Sequence, residues 1–301
     1  MTRDPEPVER DSRGILDPWL LRRRVTLTRY PPTPALAGLV DRFWAVRWDL
    51  PVGVVHRQQV LTHPGANASV GSPDADAAAG ANAAAGGAGG AGSDAAGPVE
   101  ACLEGVQRQV STRALAGRGW AVAALTLPGG LGAFLDRPAA ELTDRTVALA
   151  PVLGIDEAVL LDRVLGGRDE ASRVAVLAGL LERAVRPERV SAARRVAAAA
   201  RSAEADRSVR RLADLSAGTG IPSRTLQRLF HEFAGVSPTW VLRRYRLLDA
   251  AEAVRSGEPV SWSDLAADLG YADQSHLIRE FTAALGQTPA AYAGALTPPR
   301  R

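Results

Sequence analysis

One sequence pattern occurs twice in the C-terminal third of the chain, over residues 215–238 and again over residues 265–289. Each copy has a Leu, then a Gly followed by an apolar residue, then Leu-x-Arg-x-Phe, and ends in Gly-x-x-Pro. The Phe of that central triplet is Phe230 in the first copy and Phe281 in the second. A helix, a turn built on Gly and a second helix form the helix-turn-helix motif. The repeat therefore predicts two such motifs in tandem, in an all-α domain.

The second helix of each motif has one apolar and one polar face. We expect these helices over residues 223–233 and 273–284, and Asp273 is the expected N-cap of the latter. For the first helix of the first motif, the expected N-cap is Ser208. The second helix of such a motif enters the major groove of DNA, where Arg pairs with guanine and Gln with adenine. The residues predicted to contact DNA are Ser223, Arg224, Thr225, Gln227, Arg228, His231, Gln274, Ser275, Ile278 and Arg279.

A long amphipathic helix over about residues 238–256 joins the two motifs. Its length sets the separation of the two reading helices. Two major-groove sites on one face of a duplex lie about one turn, roughly 34 Å, apart. The sequence thus predicts a protein that reads two successive major-groove segments.

Two other interpretations compete with DNA binding. A helix-turn-helix pattern alone is a weak signal, and exposed Arg residues often form only a solvated helix face. All 36 basic residues are Arg, which a GC-rich coding sequence explains as readily as chemistry, and the net charge is only +3. Residues 190–301 nevertheless carry 15 Arg against 11 Asp and Glu, the sign expected of a phosphate-contacting module. The repeated spacing and the repeated Gly-x-x-Pro favour DNA binding.

The single cysteine, Cys102, excludes an intramolecular disulfide and a multi-cysteine zinc site. The first 24 residues alternate charged and apolar side chains, without the apolar stretch of a signal peptide. No apolar run approaches the roughly 18 residues of a membrane span. We expect a cytoplasmic protein with no membrane partner.

The N-terminal half predicts an α+β fold, with strands first and helices later. The strand-length segments are residues 25–28, 43–48, 52–55, 59–61, 106–112 and 120–127, and a helical turn is expected over 36–43. Helical spacing follows over 155–165 and 174–185. Residues 74–97 are almost wholly Ala, Gly, Asp, Asn and Ser, which cannot form a core, so we predict a disordered insertion there.

The C-terminal region resembles the DNA-binding domain of AraC/XylS-family bacterial transcription regulators. The matching segments are Thr225-Leu226-Gln227-Arg228-Leu229-Phe230, Gly235-Val236-Ser237-Pro238, Arg246-x3-Ala250, Asp264-Leu265-Ala266-x3-Gly270-Tyr271-x-Asp273-Gln274-Ser275-His276-Leu277-x-Arg279-x-Phe281 and Gly286-Gln287-Thr288-Pro289-x2-Tyr292. The resemblance implies two helix-turn-helix units joined by a rigid helix, in a transcription factor bound to the bacterial nucleoid. Pro222, before the first reading helix, departs from the family pattern and predicts a shifted cap.

The N-terminal half more weakly resembles a sensor-like domain that accompanies such DNA-binding domains in actinobacterial regulators. The matches are Pro34-x-Leu36-x2-Leu39-Val40-x3-Trp44, His63-Pro64-Gly65, Leu127-Pro128-Gly129-Gly130 and Leu142-Thr143-Asp144-Arg145. The resemblance implies a cupin-like partial β-barrel followed by helices. The His cluster of a metal-bearing cupin is not evident, so no metal or other cofactor is expected.

The predicted organisation is a flexible leader (1–24), a sensor or dimerisation domain (25–187), the DNA-binding domain (188–297) and a tail (298–301). Candidate partners are double-stranded DNA, a small-molecule effector, a second copy of the chain and RNA polymerase; the effector-binding residues are left unknown. The alternative function is a ligand-binding or interaction protein with a vestigial DNA-binding module. An enzyme is not expected: one cysteine cannot build the zinc–thiolate site of the alkylation-repair proteins that share this fold, and no G-x-S-x-G motif is present.

Overall fold

The computed structural model describes residue 16 and residues 24–76, 99–255 and 260–296. Most of the predicted leader and all of the predicted tail lie outside the described residues. Of the predicted insertion, only residues 74–76 are described. Asp74 accepts a hydrogen bond from the backbone N–H of Ala114 at 2.8 Å, and Asp76 pairs with Arg57 at 2.9 Å, so these residues contact the neighbouring strands.

The N-terminal half contains a six-stranded antiparallel sheet and a two-stranded sheet, which confirms the α+β class and its sheet-first order. The six-stranded sheet has the order β1-β2-β7-β4-β5-β8, and β3 pairs with β6. The strands are β1 (Val25–Tyr30), β2 (Val40–Asp49), β3 (Val55–Val60), β4 (Asn67–Gly71), β5 (Glu100–Glu104), β6 (Ser111–Ala116), β7 (Arg118–Thr126) and β8 (Thr146–Ala148).

Helices make up the rest of the regular structure in the described chain. Short 3-10 helices cover Pro34–Leu36, Gly130–Ala133 and Ala139–Leu142. The α-helices are α1 (Ala150–Leu153), α2 (Glu157–Leu165), α3 (Glu170–Ala184), α4 (Pro187–Ala205), α5 (Leu212–Thr219), α6 (Ser223–Leu229), α7 (Pro238–Arg255), α8 (Trp262–Asp268), α9 (Gln274–Leu285) and α10 (Pro289–Leu296). A π-helical turn, Phe230–Ala234, continues α6. The predicted domain boundary falls at the start of α4 and stays a prediction.

Three local predictions for the N-terminal half are wrong. Of the apolar segment 52–55, residues 52 and 53 form a turn, because Gly53 adopts a left-handed φ of 79° and Val52 faces solvent, and the strand begins only at Val55. Residues 105–110 form a loop, and the strand begins only at Ser111. The helical turn expected over 36–43 is instead a 3-10 turn that ends at Leu36, followed by β2, where pairing with two neighbouring strands outweighs local helical spacing.

A single hydrophobic core extends from the sheet into the C-terminal helices. It includes Phe43 and Val122 in the sheet, Leu177 in α3, and Phe230 and Phe281 in the two repeats. A small second cluster of Val25, Trp48, Leu50 and Leu115 lies between the two sheets. The two halves of the chain are therefore packed together.

The N-terminal half contains a small apolar cavity. The apolar cavity between the sheet and the helices, bordered by Val40, Leu103 and Phe134, has room for about one water molecule. Within the described ranges, no three His, Cys, Asp or Glu residues are grouped as a metal site requires. No helix in that same part of the chain is long and apolar enough to cross a membrane.

Candidate nucleic-acid interface

The first helix-turn-helix unit consists of α5, a tight turn and α6. Gly220 ends α5 with a left-handed φ of 66°, and the Ser216 hydroxyl donates to the Ile221 carbonyl at 2.7 Å across the turn. The predicted N-cap at Ser208 is wrong. The helix begins at Leu212, because the Asp214 carboxylate accepts the backbone N–H groups of Arg210 and Arg211 at 2.9 and 2.7 Å. Pro222 is the N-cap residue of α6, which begins at Ser223 without a side-chain cap, so no shifted cap is seen.

The reading helix of the first unit has the predicted two faces. Its apolar face is buried and consists of Leu226, Leu229, Phe230 and Phe233. The side chains of Arg224, Gln227, Arg228 and His231 are exposed, while Ser223 and Thr225 are half-buried. The structure thus presents a polar strip that contains two guanidinium groups and an amide on one side of the helix.

The end of this reading helix is unwound and lies against the N-terminal half. The π-helical turn over Phe230–Ala234 ends at Gly235, which has a left-handed φ of 78°. Arg189 of α4 stacks over the Phe233 ring, donates to the Gly132 carbonyl at 2.6 Å and pairs with Glu232 at 2.8 Å. π turns are frequent at functional sites. The predicted helix over 223–233 is therefore α-helical only to Leu229.

The second unit consists of α8, the Gly270 turn and α9. Gly270 has a left-handed φ of 73°, and the Asp273 carboxylate caps α9 by accepting the His276 backbone N–H at 2.7 Å, as predicted. Leu277, Phe281 and Leu285 are buried. Of the residues predicted to contact DNA, Gln274, Ser275 and Arg279 are exposed and Ile278 is half-buried.

His276 and Glu280 lie on the flank of α9 that faces the helix between the units. The His276 ring meets the Tyr271 ring edge-on at 5.3 Å, and its Nε2 lies 3.5 Å from Glu280 Oε1. Arg243 of α7 reaches the same carboxylate oxygen at 3.7 Å. Glu280 thus links the second reading helix to α7.

Loss of the Asp273 cap is expected to fray the second reading helix. Asp273→Ala leaves the first-turn N–H groups of α9 without their side-chain acceptor, at a cost of about 0.5–2 kcal/mol in the free energy of unfolding. Urea unfolding followed by circular dichroism measures that cost. Asp273→Asn, which keeps an acceptor at the cap, is the control and should lose little; equal losses for both variants would contradict the capping role.

Sequence analysis missed one residue of α7 that the structure makes central. Arg244 is only 2% exposed, and its Nη2 donates to the backbone carbonyls of Gln107 and Arg108 at 3.4 and 2.5 Å. Burial lowers the pKa of its guanidinium to about 10, so the group remains charged at neutral pH. The helix between the two reading units is therefore anchored in a loop of the N-terminal half.

One further contact joins the two halves, and another holds the loop that receives Arg244. The Thr143 hydroxyl donates to the Gly235 carbonyl at 2.6 Å, at the end of the first reading unit. Asp144 accepts a hydrogen bond from the backbone N–H of Arg108 at 2.7 Å. Among the described residues other than Gly, it alone has a positive φ, of 57°. This strained residue fixes the loop that receives Arg244.

Comparison with family models assigns two regions of the chain. Residues 215–295 match a family described as a helix-turn-helix domain, and residues 28–148 match a domain of unknown function (DUF6597). The C-terminal region is an AraC-type helix-turn-helix domain. This domain identifies the chain as a DNA-binding transcription regulator.

Solved structures of ToxT from Vibrio cholerae align with most of the chain at low similarity. An apo ToxT variant from strain SCE256 is 12% identical over 85% of this chain and 98% of that chain, with a TM-score of 0.37. ToxT from strain O395 is 14% identical over 91% of this chain and 99% of that chain, with a TM-score of 0.36. No curated protein matches the chain. A likeness at this level assigns no function here, and the AraC-type domain rests on the family match and on the geometry of its two units.

Proposed function

We propose that this regulator reads base sequence through the exposed faces of α6 and α9, and that its N-terminal half tunes that reading by direct contact. The observation that carries the proposal is the equivalence of Arg228 and Arg279. Both occupy the same position in their repeat, and both are exposed on the polar side of a helix whose other side is buried. An exposed Arg on a reading helix is the residue best suited to pair with guanine.

The remaining residues of the two faces differ in chemistry, which favours an operator with two unlike segments. Arg224 and Gln227 of α6 correspond to Ser275 and Ile278 of α9. The first face offers a second guanidinium and an amide, suited to guanine and adenine. At the same two positions the second face offers a hydroxyl and an apolar side chain, of which the latter suits contact with a thymine methyl group, and its amide is instead Gln274, the equivalent of Ser223. We therefore expect a non-palindromic site for one copy of the chain.

Arg228→Ala and Arg279→Ala are each expected to lower the affinity for the specific operator by about 1–3 kcal/mol. The operator is obtained first, by selecting bound sequences from a random duplex pool with the full chain. Binding to that operator and to an unrelated duplex is then compared at one salt concentration. If both affinities fell equally, Arg228 and Arg279 would contact phosphates rather than bases.

A protein with a vestigial DNA-binding module would behave differently in the same selection. It would enrich no sequence, and its binding to any duplex would vary only with salt. That result would overturn base reading by α6 and α9 and favour the alternative of a ligand-binding or interaction protein.

The proposal for the N-terminal half rests on its contacts with the AraC-type domain. Loops of that half hold two residues of the domain: Arg244, in α7, and Gly235, at the end of the first unit. A small molecule, a second copy of the chain or RNA polymerase that shifted those loops would move the first reading unit. Titration of operator binding with cell-extract metabolites, together with sedimentation of the full chain, tests the first two partners.

We also propose that the chain acts by binding and not as an enzyme, in the bacterial cytoplasm on the nucleoid. The sequence lacks the nucleophile motifs and the multiple cysteines noted above. The proposal would be wrong if the purified chain altered a bound duplex or a bound effector covalently, which mass spectrometry of both after incubation would detect.

A further inference from the structure

Arg210, just before the first helix-turn-helix unit, reaches across to the second unit. Its Nη2 lies 3.4 Å from the Ala267 carbonyl oxygen and 3.3 Å from that of Asp268. These are the last two residues of α8, where the carbonyl groups carry the negative end of the helix dipole. A guanidinium there is a favourable cap for the first helix of the second unit.

The stem of Arg210 crosses the turn of the second unit close to Gly270. A Cβ placed on Gly270 would lie 2.6 Å from the Arg210 Cδ and 2.7 Å from its Nε. The same Gly has the left-handed φ that the turn requires. The Gly270 turn of the second unit and the Arg210 side chain of the first are thus in van der Waals contact.

The peptide of Arg210 is itself fixed from two directions. Its N–H donates to the Asp214 carboxylate at 2.9 Å, inside the first unit. Its carbonyl accepts a hydrogen bond from Arg246 Nη2, on the helix between the units. These two bonds fix the backbone position from which the Arg210 side chain extends toward the second unit. Arg246, Arg210 and the end of α8 therefore form one continuous connection between all three elements.

We propose that Arg210 and Arg246 are positioning residues that set the angle between the two reading helices, and so the spacing of the two base-pair segments that the regulator accepts. The inference rests on the proposed function, in which both α6 and α9 read bases. A long helix such as α7 fixes the distance between two units but not the rotation of each unit about its axis. That rotation is fixed by side-chain contacts between the units.

The test compares the selected operator with a version that carries one extra base pair between its two segments. One base pair displaces the second segment by about a tenth of a helical turn. For the unmodified protein we expect the insertion to lower affinity on the order of 10- to 100-fold, the size of a mismatch penalty. For Arg210→Ala we expect a penalty below about 3-fold, because the second unit keeps its packing on α7 and the Arg243–Glu280 pair but loses its contact with the first unit, and so adjusts more readily to the displaced segment.

Arg211→Ala is the matched control. It removes the same charge from the next, exposed residue and is expected to keep the full spacing penalty. If Arg210→Ala bound its operator specifically but kept that penalty, the positioning role of Arg210 would be overturned while base reading stood. If the unmodified protein showed no sequence preference at all, base reading itself would fail.

A measurement without DNA tests the positioning role of Arg210 and Arg246 separately from any effect on DNA binding. Spin labels are attached through Ala217→Cys in α5 and Ala283→Cys in α9, both at exposed positions, in a chain that also carries Cys102→Ser. Electron–electron distance measurements are expected to give one narrow distribution with Arg210 and a broader one with Arg210→Ala or Arg246→Ala. Equally narrow distributions would overturn the proposal.

Discussion

Phe281→Ala is expected to unfold the second helix-turn-helix unit well before the rest of the protein. The Phe281 side chain is fully buried, and its ring centre lies 5.8 Å from that of Tyr292. Truncation of a buried Phe to Ala removes apolar burial and leaves a cavity, at a cost of about 3–5 kcal/mol. Hydrogen exchange at increasing urea, read by mass spectrometry, should show protection lost first in α8, α9 and α10.

Phe230→Ala is the matched variant in the first unit, because Phe230 has the same place in its repeat and is equally buried. In Phe230→Ala we expect the loss of hydrogen-exchange protection to extend beyond the first unit. The neighbouring Phe233 packs against Gly132, where an added Cβ would lie 2.5 Å from the ring. Protection in α6 and in residues 129–145 should therefore fall together. Local loss confined to the first unit would contradict the coupling of that unit to the N-terminal half.

The repeat allowed the architecture of the C-terminal half to be predicted from the sequence. Gly220 and Gly270 mark the two turns, since both adopt positive φ, and the buried Leu/Phe positions follow helical spacing in both reading helices. The exposed candidates Arg228 and Arg279 follow from the same spacing. A local pattern sufficed here because each unit buries its own helices against each other.

The place of Arg244 could not be predicted in that way. An Arg on an amphipathic helix is expected to be exposed. In this fold, however, α7 is enclosed on several sides. The contact that buries Arg244 comes from a loop more than 130 residues away in sequence. That loop was itself predicted as a strand, from the apolar content of residues 106–112. Its hydrogen bonds, among them those to the strained Asp144, identify it as a fixed receptor for the guanidinium.

Contacts with the N-terminal half and contacts between the two units hold different parts of the AraC-type domain. The first unit and α7 are joined to the N-terminal half through Gly235 and Arg244. The second unit is joined to the first through Arg210 and to α7 through Glu280. A change in the N-terminal half would therefore reach the first reading helix directly, and the second only through the contacts of Arg210 and α7.

Gly235→Ala is expected to weaken the contact between the N-terminal half and the first unit, and Gly286→Ala offers a matched control. Both Gly residues follow a reading helix with nearly the same φ, 78° and 74°. A Cβ on Gly235 would lie 2.8 Å from the Thr143 hydroxyl and 2.9 Å from the Ala139 carbonyl oxygen, whereas one on Gly286 would meet nothing within 4 Å.

Gly286→Ala should therefore cost only the strain of a left-handed backbone, about 1–2 kcal/mol. Gly235→Ala should add about 1–3 kcal/mol of overpacking to the same strain. Chemical unfolding of the full chain measures both. Hydrogen exchange should show that Gly235→Ala alone raises exchange in residues 139–145, and in the 105–108 loop that holds Arg244. Equal unfolding costs and equal hydrogen exchange for the two variants would mean that the two halves are not coupled at Gly235. Effector control of the first reading helix would then have to act through another contact.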